Sequence, residues 1–209
     1  MRALPEPDNR VFLGVGGSGK STLAREMSFA FPQVIICDPN GEPAHAANAL
    51  VVDNQLELVS LLQLGQPVRI AWRGFDTMGE EAGLEWACRC AWAAGDTLVV
   101  WDETDLFSPF IRNTSSAYRL WNAGRHRGCR VFSIARSPFA IPRTLTRNMT
   151  RACVFGTQEP ADLQYLAGSR TRPGMIGAEA AGALPTLAKY HCVDWHRGGA
   201  WAVKKAPFT

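Results

Sequence analysis

The run Gly14-Val15-Gly16-Gly17-Ser18-Gly19-Lys20-Ser21 constrains this chain more than any other stretch, because it satisfies G-x-x-x-x-G-K-[ST] at every position. Such a run works only between a strand and a helix. Arg10 to Val15 reads as the strand, and Ser21 to Phe29 as the helix. Glycines let successive backbone N–H groups turn inward around phosphate oxygens, which a Cβ would obstruct. The helix N-terminus adds its partial positive charge. Lys20 has the reach for the β- and γ-phosphates, and the Ser21 hydroxyl for a magnesium ion. With Thr22 beside them, these residues make a nucleotide cradle that would take ATP and Mg²⁺. The bland alternative, a glycine-rich turn with a chance Gly-Lys-Ser, is disfavoured by the strand before it and the helix after it.

A cradle of this kind needs an acidic partner at the end of a buried strand. Thr97 to Trp101 is a continuous apolar run, and Asp102 and Glu103 follow it directly. Asp102 is placed as the magnesium carboxylate. Glu103 is placed to orient and deprotonate a water attacking the γ-phosphate. A kinase transferring phosphate to another substrate has no such need, so the second acid favours a hydrolase. Asp38 also ends an apolar run, but the Pro39-Asn40-Gly41 behind it favours a turn role. No N-K-x-D segment reads guanine, which leaves ATP as the expected nucleotide, and no LSGGQ-like stretch points to a transporter ATPase.

The rest of the chain alternates apolar runs with segments of helical period, which predicts an α/β fold built on a mainly parallel sheet. Further strands are expected at Val34–Cys37, Leu50–Val52, Val68–Trp72, Cys129–Ile134 and Ala152–Phe155. Helices are expected from the Asn54 cap to Leu64, at Glu80–Ala94, Ser115–Ala123, Pro142–Asn148 and Asp162–Ala167. Tyr190–Trp195 and Trp201–Lys204, around Arg197-Gly198-Gly199, read as a C-terminal β-hairpin. At 209 residues and 46% apolar, residues 1–209 suit one domain with a full core. MRALPEPDNR lacks the apolar region of a signal peptide, and no stretch nears the length of a membrane span. A soluble protein is therefore expected. The six cysteines are scattered without metal-ligand spacing and read as buried thiols. The seven tryptophans read as packing rather than base-stacking platforms.

Net charge is only +3, but eighteen of the cations are Arg and four are Lys. That bias suits phosphate recognition; codon composition would account for it equally well. From Leu106 through Gln158 there is no Asp or Glu, against nine Arg: 112, 119, 125, 127, 130, 136, 143, 147 and 151. An acid-free basic tract points to phosphate, on a nucleotide across a subunit interface or on a nucleic-acid backbone. The turn-rich Gly168-Ser169-Arg170-Thr171-Arg172-Pro173-Gly174 is either a further basic contact or an exposed connection.

Three patches carry a family likeness. Asn122-Ala123-Gly124-Arg125-His126-Arg127-Gly128 precedes the strand Val131–Ile134, then Pro138-Phe139-Ala140-Ile141, and later Phe155-Gly156-Thr157-Gln158-Glu159-Pro160-Ala161-Asp162-Leu163. Together with the phosphate motifs they resemble the FtsK–HerA superfamily of DNA-pumping ATPases over roughly Val11 to Leu166. Among its members the chain most resembles the genome-packaging ATPases of tailless, membrane-containing icosahedral viruses. The zonula occludens toxin-like assembly proteins of filamentous phages stand as the alternative, and a P-loop kinase as a further one. The resemblance implies a RecA-like P-loop fold and a homo-oligomeric ring, usually of six subunits. It implies DNA, in packaging a double-stranded genome, as the partner, with contact to a capsid vertex or portal and a location in the host cytoplasm or on the virion. It also implies an arginine finger, for which Arg125 is the first candidate and Arg143 and Arg147 the next. Aligning Pro138 and Ile141 puts Arg136 where the family pattern has its sensor Gln, with Ser137 next. An Arg there would meet the γ-phosphate by charge rather than through an amide.

Overall fold

The expected alternation resolves into one nine-stranded sheet flanked by helices. The computed structural model describes residues 9–169 and 172–206, the side chains at 172 and 173 excepted. In chain order the elements are β1 (Arg10–Leu13), α1 (Lys20–Ser28), β2 (Gln33–Cys37), α2 (Pro43–Ala46), β3 (Leu50–Val52), α3 (Gln55–Gln63) and β4 (Val68–Trp72). Then come α4 (Phe75–Met78), α5 (Glu80–Ala94), β5 (Thr97–Trp101), α6 (Thr104–Phe107), α7 (Ser116–Ala123), β6 (Arg130–Ala135), α8 (Arg143–Thr146) and β7 (Arg151–Phe155). The chain closes with α9 (Pro160–Ala167), the two-residue strands β8 (Gly168–Ser169) and β9 (Arg172–Pro173), α10 (Ala178–Ala183), β10 (His191–His196) and β11 (Trp201–Lys205).

The sheet runs β11-β10-β7-β1-β6-β5-β2-β4-β3. Every pairing from β7 to β3 is parallel. The C-terminal hairpin adds β10 antiparallel to β7, and β11 antiparallel to β10. Both faces of β2 and β5 are buried, as central parallel strands require. Successive side chains feed opposite cores. Ile35, Val99 and Trp101 join the core under α3, α5 and α7, while Val34, Ile36, Leu98 and Val100 pack with Leu23 and Ala24 of α1.

Local signals explain the boundaries. Asn54 accepts from the amides of Leu56 and Glu57 at 2.8 and 3.2 Å and starts α3. Ser115 accepts from the Tyr118 amide at 3.1 Å and starts α7. Gly95, at φ 74°, ends α5. Four helices were not foreseen: α2, α4 and α6 have four residues each and α10 has six. None is long enough to display a helical period. Asp38 has its turn role, with Oδ1 accepting from the Glu42 amide at 2.8 Å and Oδ2 from Arg73 Nε at 2.9 Å. All six cysteines are buried free thiols. Trp72 and Trp101 are fully buried, and Trp101 stacks on Trp121 at 5.9 Å between centroids. Among the described residues no helix is long and apolar enough to cross a membrane. Of the basic Gly168–Gly174 loop, Arg170 and Thr171 lie outside the described residues, as do the first eight residues of the N-terminal segment.

Candidate nucleotide site

The glycine-rich loop leaves β1 at its C-terminal end. Gly14 donates to the Ala135 carbonyl at the end of β6, 3.3 Å away. A side chain here has no room, since a Cβ would lie 2.8 Å from both Phe155 Cβ and Ser18 Oγ. Ser18 donates back to the Val15 carbonyl at 3.2 Å, which closes the loop. Gly19 turns the chain into α1 at φ 100°, where a side chain would be strained. Among the described residues, the amides of Gly16, Gly17 and Gly19 donate to no main-chain carbonyl. With the first turn of α1, these amides leave main-chain donors at the helix N-terminus free for a phosphate.

β5 brings the acids to the same space. β6 lies between β1 and β5, and all three end together. Ser21 Oγ donates to Asp102 Oδ1 at 3.3 Å. The other carboxylate oxygen, Oδ2, lies 2.6 Å from His45 Nε2, and both side chains are buried. Facing a carboxylate, that nitrogen carries the proton. Nδ1 of His45 is buried with no hydrogen-bond partner among the described residues. Glu103 sits at φ 60°, in the left-handed region unusual for a residue with a side chain. The Thr104 and Ser133 hydroxyls, 2.8 Å apart, tie the turn after it to β6. Arg136, leaving β6, donates from Nη2 to Glu103 Oε1 at 2.9 Å, and its amide donates to Asp105 at 3.2 Å.

Lys20, Ser21, Asp102, Glu103 and Arg136 thus share a cleft of about 240 Å³, with Thr22, Glu42 and His45 also on its wall. Lys20 Nζ rests on the Val15 carbonyl at 3.3 Å. Its pKa is lowered from the ordinary lysine value, first by burial, an effect that Asp102 opposes and Arg136 reinforces. The Arg136 pKa is raised, chiefly by its hydrogen bond to Glu103. Among the described residues no three of His, Cys, Asp and Glu gather as a metal-binding group. Ser21 Oγ and Asp102 do fit magnesium, a hard ion that takes few protein oxygens and fills its remaining positions with water and phosphate.

Not every expected residue reaches this cleft. Arg125 lies in the 3₁₀ turn Gly124–Arg127 before β6, hence at the opposite end of the sheet from Arg136, which follows β6. Arg143 and Arg147 lie on the connection from β6 to β7 and are not among the residues that line the cleft. The acid-free tract is not a row of free cations. Arg151 forms a fork with Asp194 at 2.8 and 2.7 Å, and Arg119 lies 4.0 Å over the Trp92 ring. Arg127 donates to the carbonyls of Trp92 and Ala93. Glu103 and Asp194, the acids paired with Arg136 and Arg151, both lie outside the tract, beyond the reach of local charge counting. His45 was not foreseen either; one histidine 57 residues from its aspartate carries no local signal. Ser137 does link two of the family-like patches, donating to Asp162 at 2.8 Å.

No family model matches the sequence, and no curated protein matches it. Solved structures do. The genome packaging NTPase B204 from Sulfolobus turreted icosahedral virus 2, in complex with AMP, superposes with a TM-score of 0.78 over 97% of this chain and 100% of that one, at 19% identity. VirB4 of Thermoanaerobacter pseudethanolicus matches with a TM-score of 0.62 over 96% of this chain and 89% of that one, at 11% identity. ATPases 2 and 3 of EssC from Geobacillus thermodenitrificans match with a TM-score of 0.55 over 95% of this chain and 39% of that one, at 13% identity. The chain shares their fold, a RecA-like P-loop architecture with a mainly parallel sheet.

Proposed function

We propose that the chain is an ATP-hydrolysing motor that packages a viral genome. The observation that carries this reading is the convergence of a phosphate loop, a metal carboxylate and a second acid on one cleft. The full-length likeness in fold to a genome packaging NTPase supports the choice among motors. ATP lies with its phosphates on the amides of Gly16 to Ser21 and its γ end toward Glu103. Lys20 neutralises the β- and γ-oxygens. Ser21 and Asp102 hold magnesium, which when bound offsets charge on the phosphates. His45 keeps one Asp102 oxygen turned away, so the other faces Ser21. Glu103 takes the proton of the attacking water. Arg136, free to leave its exposed pair with Glu103, meets the charge that develops on the γ-phosphate.

Residues 1–209 act as one ATPase domain, six copies of which form a ring on double-stranded DNA at the capsid vertex. Arg125, remote from its own cleft, then serves a neighbour's. Glu103→Gln should retain ATP affinity and lower turnover by about 10²- to 10⁴-fold, since it removes the base and keeps the shape. Nucleotide binding and phosphate release, measured with and without duplex DNA, test this. Undiminished hydrolysis by the variant would exclude Glu103 as the base, and wild-type hydrolysis indifferent to DNA would count against a motor.

A further inference from the structure

The hydrolytic reading places the phosphates on the glycine-rich loop and leaves the nucleoside end of the nucleotide unplaced, with two further cavities beside that loop. One, of about 510 Å³, is bounded by Gly17, Gly19, Lys20, Ser21, Thr22 and Tyr190. It shares Lys20, Ser21 and Thr22 with the cleft that holds Asp102 and Glu103. The other, of about 420 Å³, shares Gly17 and Tyr190 with the first and continues between the loop and the segment from Leu184 to His191. The three spaces lie side by side around the loop, and Tyr190 borders two of them. With the γ-phosphate at Glu103, the nucleoside must leave from the opposite end of the phosphate chain, past Thr22.

Tyr190 is unusual in its own right. Its φ of 66° makes it one of three non-glycine residues at positive φ among those described, and Glu103 is another. Such a conformation persists only where the surroundings impose it. Here the Ala206 amide, just beyond β11, donates to the Tyr190 carbonyl at 2.8 Å and holds the chain reversal before β10. The ring is held at these cavities rather than in the core and is partly exposed. The Lys189 ammonium stands 4.8 Å from the ring centroid, which makes this wall cationic. Pro185 and Leu187 line the far side, and Gln158 and Thr157 supply polar groups.

We infer that Tyr190 is the platform on which the base of the bound nucleotide stacks. The inference rests on the P-loop reading and extends it from the phosphates to the nucleoside. Stacking uses the face of a base and tolerates its identity. Stacking on Tyr190 therefore binds the nucleoside without selecting ATP over other nucleoside triphosphates.

The test is calorimetric titration of ATP and of inorganic tripolyphosphate, both with magnesium, into wild-type protein and three variants. Tyr190→Ala should weaken ATP about tenfold and leave tripolyphosphate unchanged, because only the base meets the ring. Tyr190→Phe, which keeps the ring, should restore ATP affinity. Unchanged ATP affinity in Tyr190→Ala would overturn the inference. So would an equal loss for ATP and tripolyphosphate, the sign of a ring needed only to shape the loop. Lys20→Ala separates the two readings, and should weaken both ligands. Wild-type affinity for both in that variant would overturn the P-loop reading and the stacking site with it.

Discussion

Asp102 and Glu103 are neighbours in the chain and keep different company. Asp102 is buried between Ser21 and His45, so its position is set by two side chains and it has little freedom. Glu103 is turned out of the strand by a left-handed backbone, and among the described residues its side chain is held by Arg136, whose own side chain is 66% exposed. An ion pair so exposed contributes little to stability. Arg136→Ala should therefore leave the melting temperature and ATP affinity close to wild type. It should lower kcat by about 10²-fold, the usual effect of removing one group that meets transition-state charge. Melting curves, nucleotide titration and steady-state turnover on one preparation check this. Faster turnover would show instead that Arg136 restrains Glu103 more than it assists the phosphate. The motifs at Gly14 to Ser21 and at Asp102-Glu103 were legible because each is contiguous, and residues adjacent in the chain stay adjacent in space. His45 and Tyr190 were not, since each is brought to the loop from a distant part of the chain.

At the scale of elements, the C-terminal hairpin hangs on one carboxylate. Asp194 of β10 takes the fork of Arg151 from β7 and the Lys204 ammonium from β11, the latter at 2.5 Å. Burial alone would push its pKa up; the hydrogen bonds and charges of Arg151 and Lys204 outweigh it and hold the carboxyl well below the ordinary range. A depressed carboxylate pKa stabilises the fold above the unfolded value, and the benefit is lost as pH falls below about 4. Asp194→Asn should cost about 3 kcal/mol at neutral pH, because it leaves Arg151 half-buried without its anion. The variant should also lose that part of the acid dependence. Urea melts of both proteins from pH 7 to pH 3 measure the two effects together. The strands around this hairpin were readable, since buried parallel strands are unbroken apolar runs and the hairpin is marked by Arg197-Gly198-Gly199. The pairing was not. Arg151 and Asp194 lie 43 positions apart, and only the sheet order makes them neighbours.

The whole molecule has two chemically distinct ends. The strands of the parallel core all point their C-termini toward the end of the sheet that carries the nucleotide cleft. The opposite end receives the turns before β6 and β7, where the side chains of Asn122 and Asn148 hydrogen-bond and bring α7 and α8 together. Arg125 and Arg147 are exposed there, and Arg143 on the connection that leads to it, with no ion pair among the described residues. Cations without internal partners and remote from their own phosphate site are available to an external polyanion. If duplex DNA is the substrate, its backbone is the natural occupant, and the binding is measurable through the counterions it displaces. The double variant Arg143→Ala/Arg147→Ala leaves the loop and cleft intact, so its ATP affinity should match the wild type. Its DNA affinity should be weaker at low salt, and the plot of log K against log salt shallower by about 0.9 for each phosphate no longer neutralised. An unchanged slope would remove this end of the sheet from the DNA path and leave its arginines to a neighbouring subunit. A shallower slope with normal nucleotide binding would separate the two ends of the sheet by function, one for phosphate chemistry and one for grip.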